Sequence, residues 1–144
     1  MDPQKFLDLA KTLHQDSAGE AASRTSVSRS YYALYNWVVI FLNDNGMHLP
    51  PDATSHKKAY QVLSWTGISE IKEVAKAMDD LRTDRNKADY YLDDARFQKP
   101  THALALYLKA KNAYDQFSSY IQKKTKKNHL VKRIGAYRKS HPYD

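Results

Sequence analysis

Apolar residues recur at three- and four-residue steps along most of the chain, and that period admits helices and little else. Val27, Tyr31, Leu34, Tyr35, Val38 and Leu42 form the longest such stripe. Four glycines and five prolines are too few for the many tight turns of a β-rich domain. A first helix is expected behind Asp2 as N-cap and Pro3 at its first position, with Phe6, Leu7, Leu9, Ala10 and Leu13 inward. Ser17 and Glu20 have capping-box spacing ahead of the long second helix, which runs to about Leu42. Asn43 to Ser55 reads as a loop.

A third helix from about Ser55 turns Ala59, Tyr60, Leu63 and Trp65 inward and breaks at Thr66-Gly67. The fourth starts near Ser69 and carries Ile71, Val74, Ala75, Met78, Leu81 and Ala88. It decays at Asp93-Asp94-Ala95-Arg96. Pro100 opens a fifth, with Ala103, Leu106, Tyr107, Ala110, Tyr114, Phe117 and Ile121 as its stripe. The expected fold is all-α: an antiparallel bundle of about five helices over residues 1–122, with a basic C-terminal arm over 123–144. In that arm Leu130, Val131, Ile134 and Tyr137 have the spacing of one more short helix.

A chain of 144 residues suits one domain and buries about two-thirds of its unfolded surface. It has no cysteine, which excludes disulfides and thiolate chemistry. Its first residues lack a signal peptide's apolar run. The longest apolar stretch, Trp37 to Leu42, is far short of the roughly 20 residues of a membrane span, so a cytoplasmic protein with no membrane contact is expected. The net charge of +7 is unevenly placed. Residues 1–122 hold 15 basic and 15 acidic side chains, whereas 123–144 hold eight basic ones and Asp144. Lys123, Lys124, Lys126, Lys127, Lys132, Arg133, Arg138 and Lys139 make up that excess. Three readings fit it: a solvated end, an electrostatic arm for RNA, DNA or the ribosome, or a segment that docks on an acidic protein.

Two segments carry chemical information. In Leu81-Arg82-Thr83-Asp84-Arg85-Asn86-Lys87-Ala88-Asp89-Tyr90, positions 82, 85 and 89 share a face beside the core stripe. Arg82, Arg85 and Asp89 are therefore expected at the rim of a helix–helix groove, either as a functional set or as a solvated charged face. In Ser28-Arg29-Ser30-Tyr31-Tyr32-Ala33-Leu34-Tyr35, a charge stands among aromatics. Arg29 must reach water along its stem or pair with Asp89 or another carboxylate.

Together, Arg29-x-Tyr31-Tyr32-Ala33-Leu34-Tyr35 and Leu81-Arg82-x-x-Arg85-Asn86-x-Ala88-Asp89-Tyr90 resemble the HEPN domains, especially the small stand-alone members paired with minimal nucleotidyltransferases. The resemblance spans roughly residues 1–122. It implies a bundle that homodimerises through its fourth helices, in a toxin–antitoxin or defence setting. It implies RNA as partner, no cofactor and no metal. In active members an Arg, the polar residue after it and a His further along cleave RNA. Carried over, these are Arg85, Asn86 and a position on or beside Tyr90. None of residues 86–92 is His.

That departure splits the chemistry. Arg82 and Arg85 keep the means to clamp a phosphate. A guanidinium stays charged and cannot accept the proton of a ribose 2′-hydroxyl. Tyr90 is a poor base near neutral pH, and Asp89 is one only if its pKa is raised. The six histidines, at 14, 48, 56, 102, 129 and 141, show no metal-ligand spacing. His56 and His102 are expected as structural residues, with entry into a composite site as the alternative. The sequence thus supports an RNA- or nucleotide-associated protein, either a metal-independent endoribonuclease with an atypical residue set or a non-catalytic regulatory or adaptor subunit.

Overall fold

The computed structural model describes residues 1–15 and 19–142. These residues form six α-helices and one 3₁₀ turn: α1 (Gln4–Gln15), α2 (Glu20–Asp44), α3 (Thr54–Trp65), α4 (Ser69–Tyr90), the turn Ala95–Gln98, α5 (Pro100–Gln122) and α6 (Lys124–Ser140). The fold is all-α, a helical bundle, as the periodicity requires. Among the described residues no helix is long and apolar enough to cross a membrane.

The helix ends follow their local chemistry. Asp2 accepts the Gln4 backbone N–H at 2.9 Å and caps α1. The capping box read at Ser17 and Glu20 lies in part outside the described residues, since Ser17 is not among them. Gly19, with φ of 101°, is the residue that α2 starts from. At the end of α3, Thr66 Oγ donates to the Leu63 carbonyl at 2.7 Å, and Gly67 turns the chain with φ of 71°. A side chain at Gly67 would meet the left-handed penalty that glycine avoids.

The 25-residue α2 is the axis of the bundle, about 37 Å long at 1.5 Å per residue. It packs against α1, α4 and α5. The six residues of its predicted stripe are all buried, as are the six predicted on α4. On α3, Val62 is buried with Ala59 and Leu63, while Tyr60 and Trp65 lie half-buried at the edge. On α5, Tyr120 is buried and Ile121 half-buried, one position from the stripe expected there.

The basic segment is structured. Only Lys123 interrupts the helices, and α6 then runs 17 residues, longer than the short helix its spacing suggested. Leu130, Ile134 and Tyr137 are buried in the same core as the rest of the chain. Apolar burial at these steps orders a segment that its charge alone would leave in solvent. Residues 124–140 are therefore not a solvated end.

Candidate functional site

The site forms where α2, α3 and the C-terminal half of α4 meet. Tyr31, Tyr32 and Tyr35 occupy one side of α2. Tyr31 is almost fully buried, and its ring lies parallel to that of Tyr35 at 5.7 Å. α4 brings Arg85 over this shelf, 5.6 Å from the Tyr31 ring centre and 5.4 Å from that of Tyr32. Its side chain is only 12% exposed. Its charge is compensated by Asp89 at 3.6 Å and by the two aromatic faces. Arg85 Nε is buried and has no hydrogen-bond partner among the described residues.

The third helix brings a histidine to this shelf. Asp52 Oδ1 accepts from the backbone N–H of Thr54 at 2.9 Å and sets the first turn of α3. Those Thr54 bonds, with hydroxyl and amide both donating, hold the Asp52 carboxyl below the usual carboxylate range. The turn delivers His56 onto Tyr35, ring over ring at 4.1 Å and 14°. The Tyr31 hydroxyl lies 2.5 Å from His56 Nδ1. Tyr35 and Ser55 are hydrogen-bonded through their hydroxyls, and Ser55 Oγ donates to the Asp52 carbonyl at 2.8 Å.

Electrostatics tie the three helices together. Burial pushes the His56 pKa below its ordinary 6.5, and the charges of Arg82 and Arg85 push it the same way. Burial also raises the Tyr31 phenol, with the nearby Tyr35 adding to it and the two guanidiniums opposing. Tyr35 is raised by burial against the lowering effect of its Ser55 bond. At neutral pH the site thus holds a neutral imidazole, neutral phenols and two permanent cations.

The predicted residues fall into two groups. Arg82, Arg85 and Asp89 lie together as their spacing requires, with Asn86 half-buried beside them. Tyr90 is 70% exposed and does not join the aromatic shelf. Arg29 does not pair with Asp89, and it meets the shelf only at Tyr32. Its guanidinium lies 5.3 Å from the rings of both Phe6 and Tyr32, and it donates to Ser28 Oγ at 3.4 Å.

The basic residues of α6 form a separate surface. Lys123, Lys124, Lys127, Lys132, Arg138 and Lys139 are exposed. Lys126 instead pairs with Glu70 at 3.0 Å. Arg133 donates to the Thr66 carbonyl at 3.1 Å and covers the Trp65 ring at 4.8 Å. These two fasten α6 to the body.

Two residues find their partners only in three dimensions. His56 is separated from Tyr31 by a loop and a change of helix, so no periodicity links them. Arg24 reads as an ordinary helix arginine, yet it is buried. Its guanidinium donates to the carbonyls of Ala88 at 2.8 Å, Tyr91 at 3.1 Å, and Leu92 and Asp94 at 3.2 Å. Glu20 balances it at 2.8 Å. Arg24 therefore satisfies the carbonyls at the end of the helix that carries Arg82, Arg85 and Asp89. Its Glu four residues earlier was the one signal in the sequence.

Compared with protein-family models, with curated proteins and with solved structures, the chain matches none.

Proposed function

We propose that this protein is an HEPN-like, RNA-associated protein that acts as a metal-independent endoribonuclease. The observation that carries the reading is the convergence of His56 and Arg85 on one aromatic shelf, with the charge of Arg82 close enough to act on His56. Cleavage without a metal needs a cation for the phosphate and a group that accepts a proton near pH 7. In this reading Arg85 and Arg82 hold the scissile phosphate. His56 donates its Nδ1–H to the Tyr31 oxygen, which leaves the Nε2 lone pair to take the 2′-hydroxyl proton. The 2′-oxygen attacks phosphorus, and the P–O5′ bond breaks to give a 2′,3′-cyclic phosphate. The leaving 5′-oxygen takes a proton from water, and His56 returns its proton to solvent. Asn86 stands within the motif to orient the phosphate, and the exposed lysines of α6 extend the binding surface.

A homodimer through α4 accompanies this proposal. Tyr90, Tyr91 and Leu92 are 70%, 59% and 73% exposed at the end of that helix. A second reading, favoured by Tyr90 standing outside the shelf, keeps RNA binding without cleavage. The protein would then be a regulatory subunit of a toxin–antitoxin or defence pair, with a nucleotidyltransferase-like partner.

Cleavage of a structured RNA in EDTA decides between them. The wild type should yield fragments ending in 2′,3′-cyclic phosphate. His56→Ala should lower the rate about 10²- to 10⁴-fold, the usual contribution of a general base. Arg85→Ala should abolish both cleavage and tight binding. RNA bound through Arg85 but left intact would support the regulatory reading, and RNA neither bound nor cut would overturn both.

A further inference from the structure

Beside the arginines, on the far side of His56, lies a cleft of about 550 Å³. Tyr35 and His56 belong to both, so the cleft continues the site. Its apolar wall is Val39, Leu49 and Pro51, and its polar side chains include Asn36 and Asp52, with Asn43 engaged by the Leu49 N–H and Ser55 by Tyr35 and the Asp52 carbonyl. The loop that closes it is held by its own bonds: the Met47 N–H donates to the Leu42 carbonyl at 2.8 Å, and the Leu49 N–H to Asn43 Oδ1 at 3.1 Å.

Spacing and chemistry both suit one nucleotide. Tyr31, under Arg85, and Tyr35, at the cleft, are one turn apart on α2, about 6 Å along its axis. A nucleotide whose 3′-phosphate lies between the guanidiniums reaches into the cleft with its base. An unpaired base in RNA is recognised by stacking and through its Watson–Crick edge. On the loop side of the cleft, two successive residues offer no backbone donor. Pro50 and Pro51 have no N–H. Asp52 is a carboxylate, with Oδ1 engaged by Thr54 and Oδ2 left to accept. Guanine presents adjacent donors, N1–H and the N2 amino group, to such an acceptor. Adenine and cytosine turn ring-nitrogen acceptors towards it, and uracil flanks its one N–H with two carbonyls. Asn36, half-buried and without a hydrogen bond among the described residues, has both a donor and an acceptor for the remaining edge.

We infer that this cleft is a subsite for a single unpaired guanine of bound RNA, with Asp52 as the residue that sets the preference. The inference rests on the proposed phosphate site and adds its base specificity.

Equilibrium titration of the full chain with 3′-GMP, 3′-AMP, 3′-CMP and 3′-UMP tests it without requiring turnover. The expected result is 3′-GMP bound about tenfold or more tighter than the other three, in line with a paired hydrogen bond to a base edge. Asp52→Asn keeps an oxygen to cap α3 but loses the carboxylate, and should bring the four nucleotides to within a few-fold of one another. Asn36→Ala, which leaves the cap untouched, should weaken 3′-GMP specifically. Arg85→Ala should weaken all four alike. Equal binding of the four by the wild type, or a 3′-GMP preference that survives both Asp52→Asn and Asn36→Ala, would overturn the guanine subsite and leave the phosphate site standing. Failure of the wild type to bind any of the four would overturn the phosphate site and the subsite together.

Discussion

The proposed cleavage depends on a single imidazole. His56 is kept below its ordinary pKa of 6.5 by burial first and by Arg82 and Arg85 second. Tyr31, Tyr32 and Tyr35 face it from α2, and Asp52 stands in the loop just before α3. Folding therefore releases protons from His56 when the pH lies between its folded and unfolded values. Its contribution to stability is complete above about pH 6.5 and is lost as the pH falls below that point. The melting temperature of the wild type should drop between pH 7 and 5, and His56→Gln should remove part of that slope. Histidine resonances followed by NMR should place His56 below 6.5. Tyr31→Phe should cost about 1 kcal/mol in chemical denaturation, the typical net loss of one hydrogen bond, while phosphate binding persists.

At the scale of the element, α4 holds its charged end in place because α2 reaches across to it. The last carbonyls of a helix lack intrahelical partners, and Arg24 supplies donors for that of Ala88 and for those of Tyr91 and Leu92 just beyond the helix. Removing this buried guanidinium strands several carbonyls and Glu20 together. Arg24→Met should destabilise the protein by about 3 kcal/mol. It should also speed amide exchange at residues 90–94 more than elsewhere, which hydrogen exchange reads directly. α6 behaves as a core element despite its charge. Leu130→Ala should cost about 2–5 kcal/mol, as for any buried leucine, whereas a solvated arm would show no change.

Across the whole molecule, charge is divided between a neutral body and one basic helix. Replacing Lys124, Lys127 and Lys132 with Gln should leave the fold intact. It should lower RNA affinity at low salt. It should also flatten the dependence of log K on log salt by about 0.7 for each phosphate that is no longer neutralised on single-stranded RNA. The Arg85 site and the α6 surface stand on either side of the 45–53 loop. That loop lines the cleft beside His56 and, at Gly46, lies against Arg138. RNA lying across both would cross this loop.

The helices and most of their buried faces were legible in the sequence, because a three-to-four-residue apolar period has one regular solution and its breaks fall at Gly67 and Pro100; Leu9, expected inward on α1, is instead exposed. The sequence by itself also determined that Arg82, Arg85 and Asp89 share a face, since that relation is internal to one helix. It placed Leu130, Ile134 and Tyr137 in register but did not reveal that the body had a groove for them, so the basic segment read equally well as an arm. Only tertiary structure decided where His56 points. The bond from Tyr31 to His56 joins residues 25 positions apart through a loop and the direction of α3. Neither periodicity nor motif spacing encodes that direction. It comes from packing α2, α3 and α4 on one another, and the same packing turns Tyr90 out to solvent and brings a histidine to the arginines from another helix.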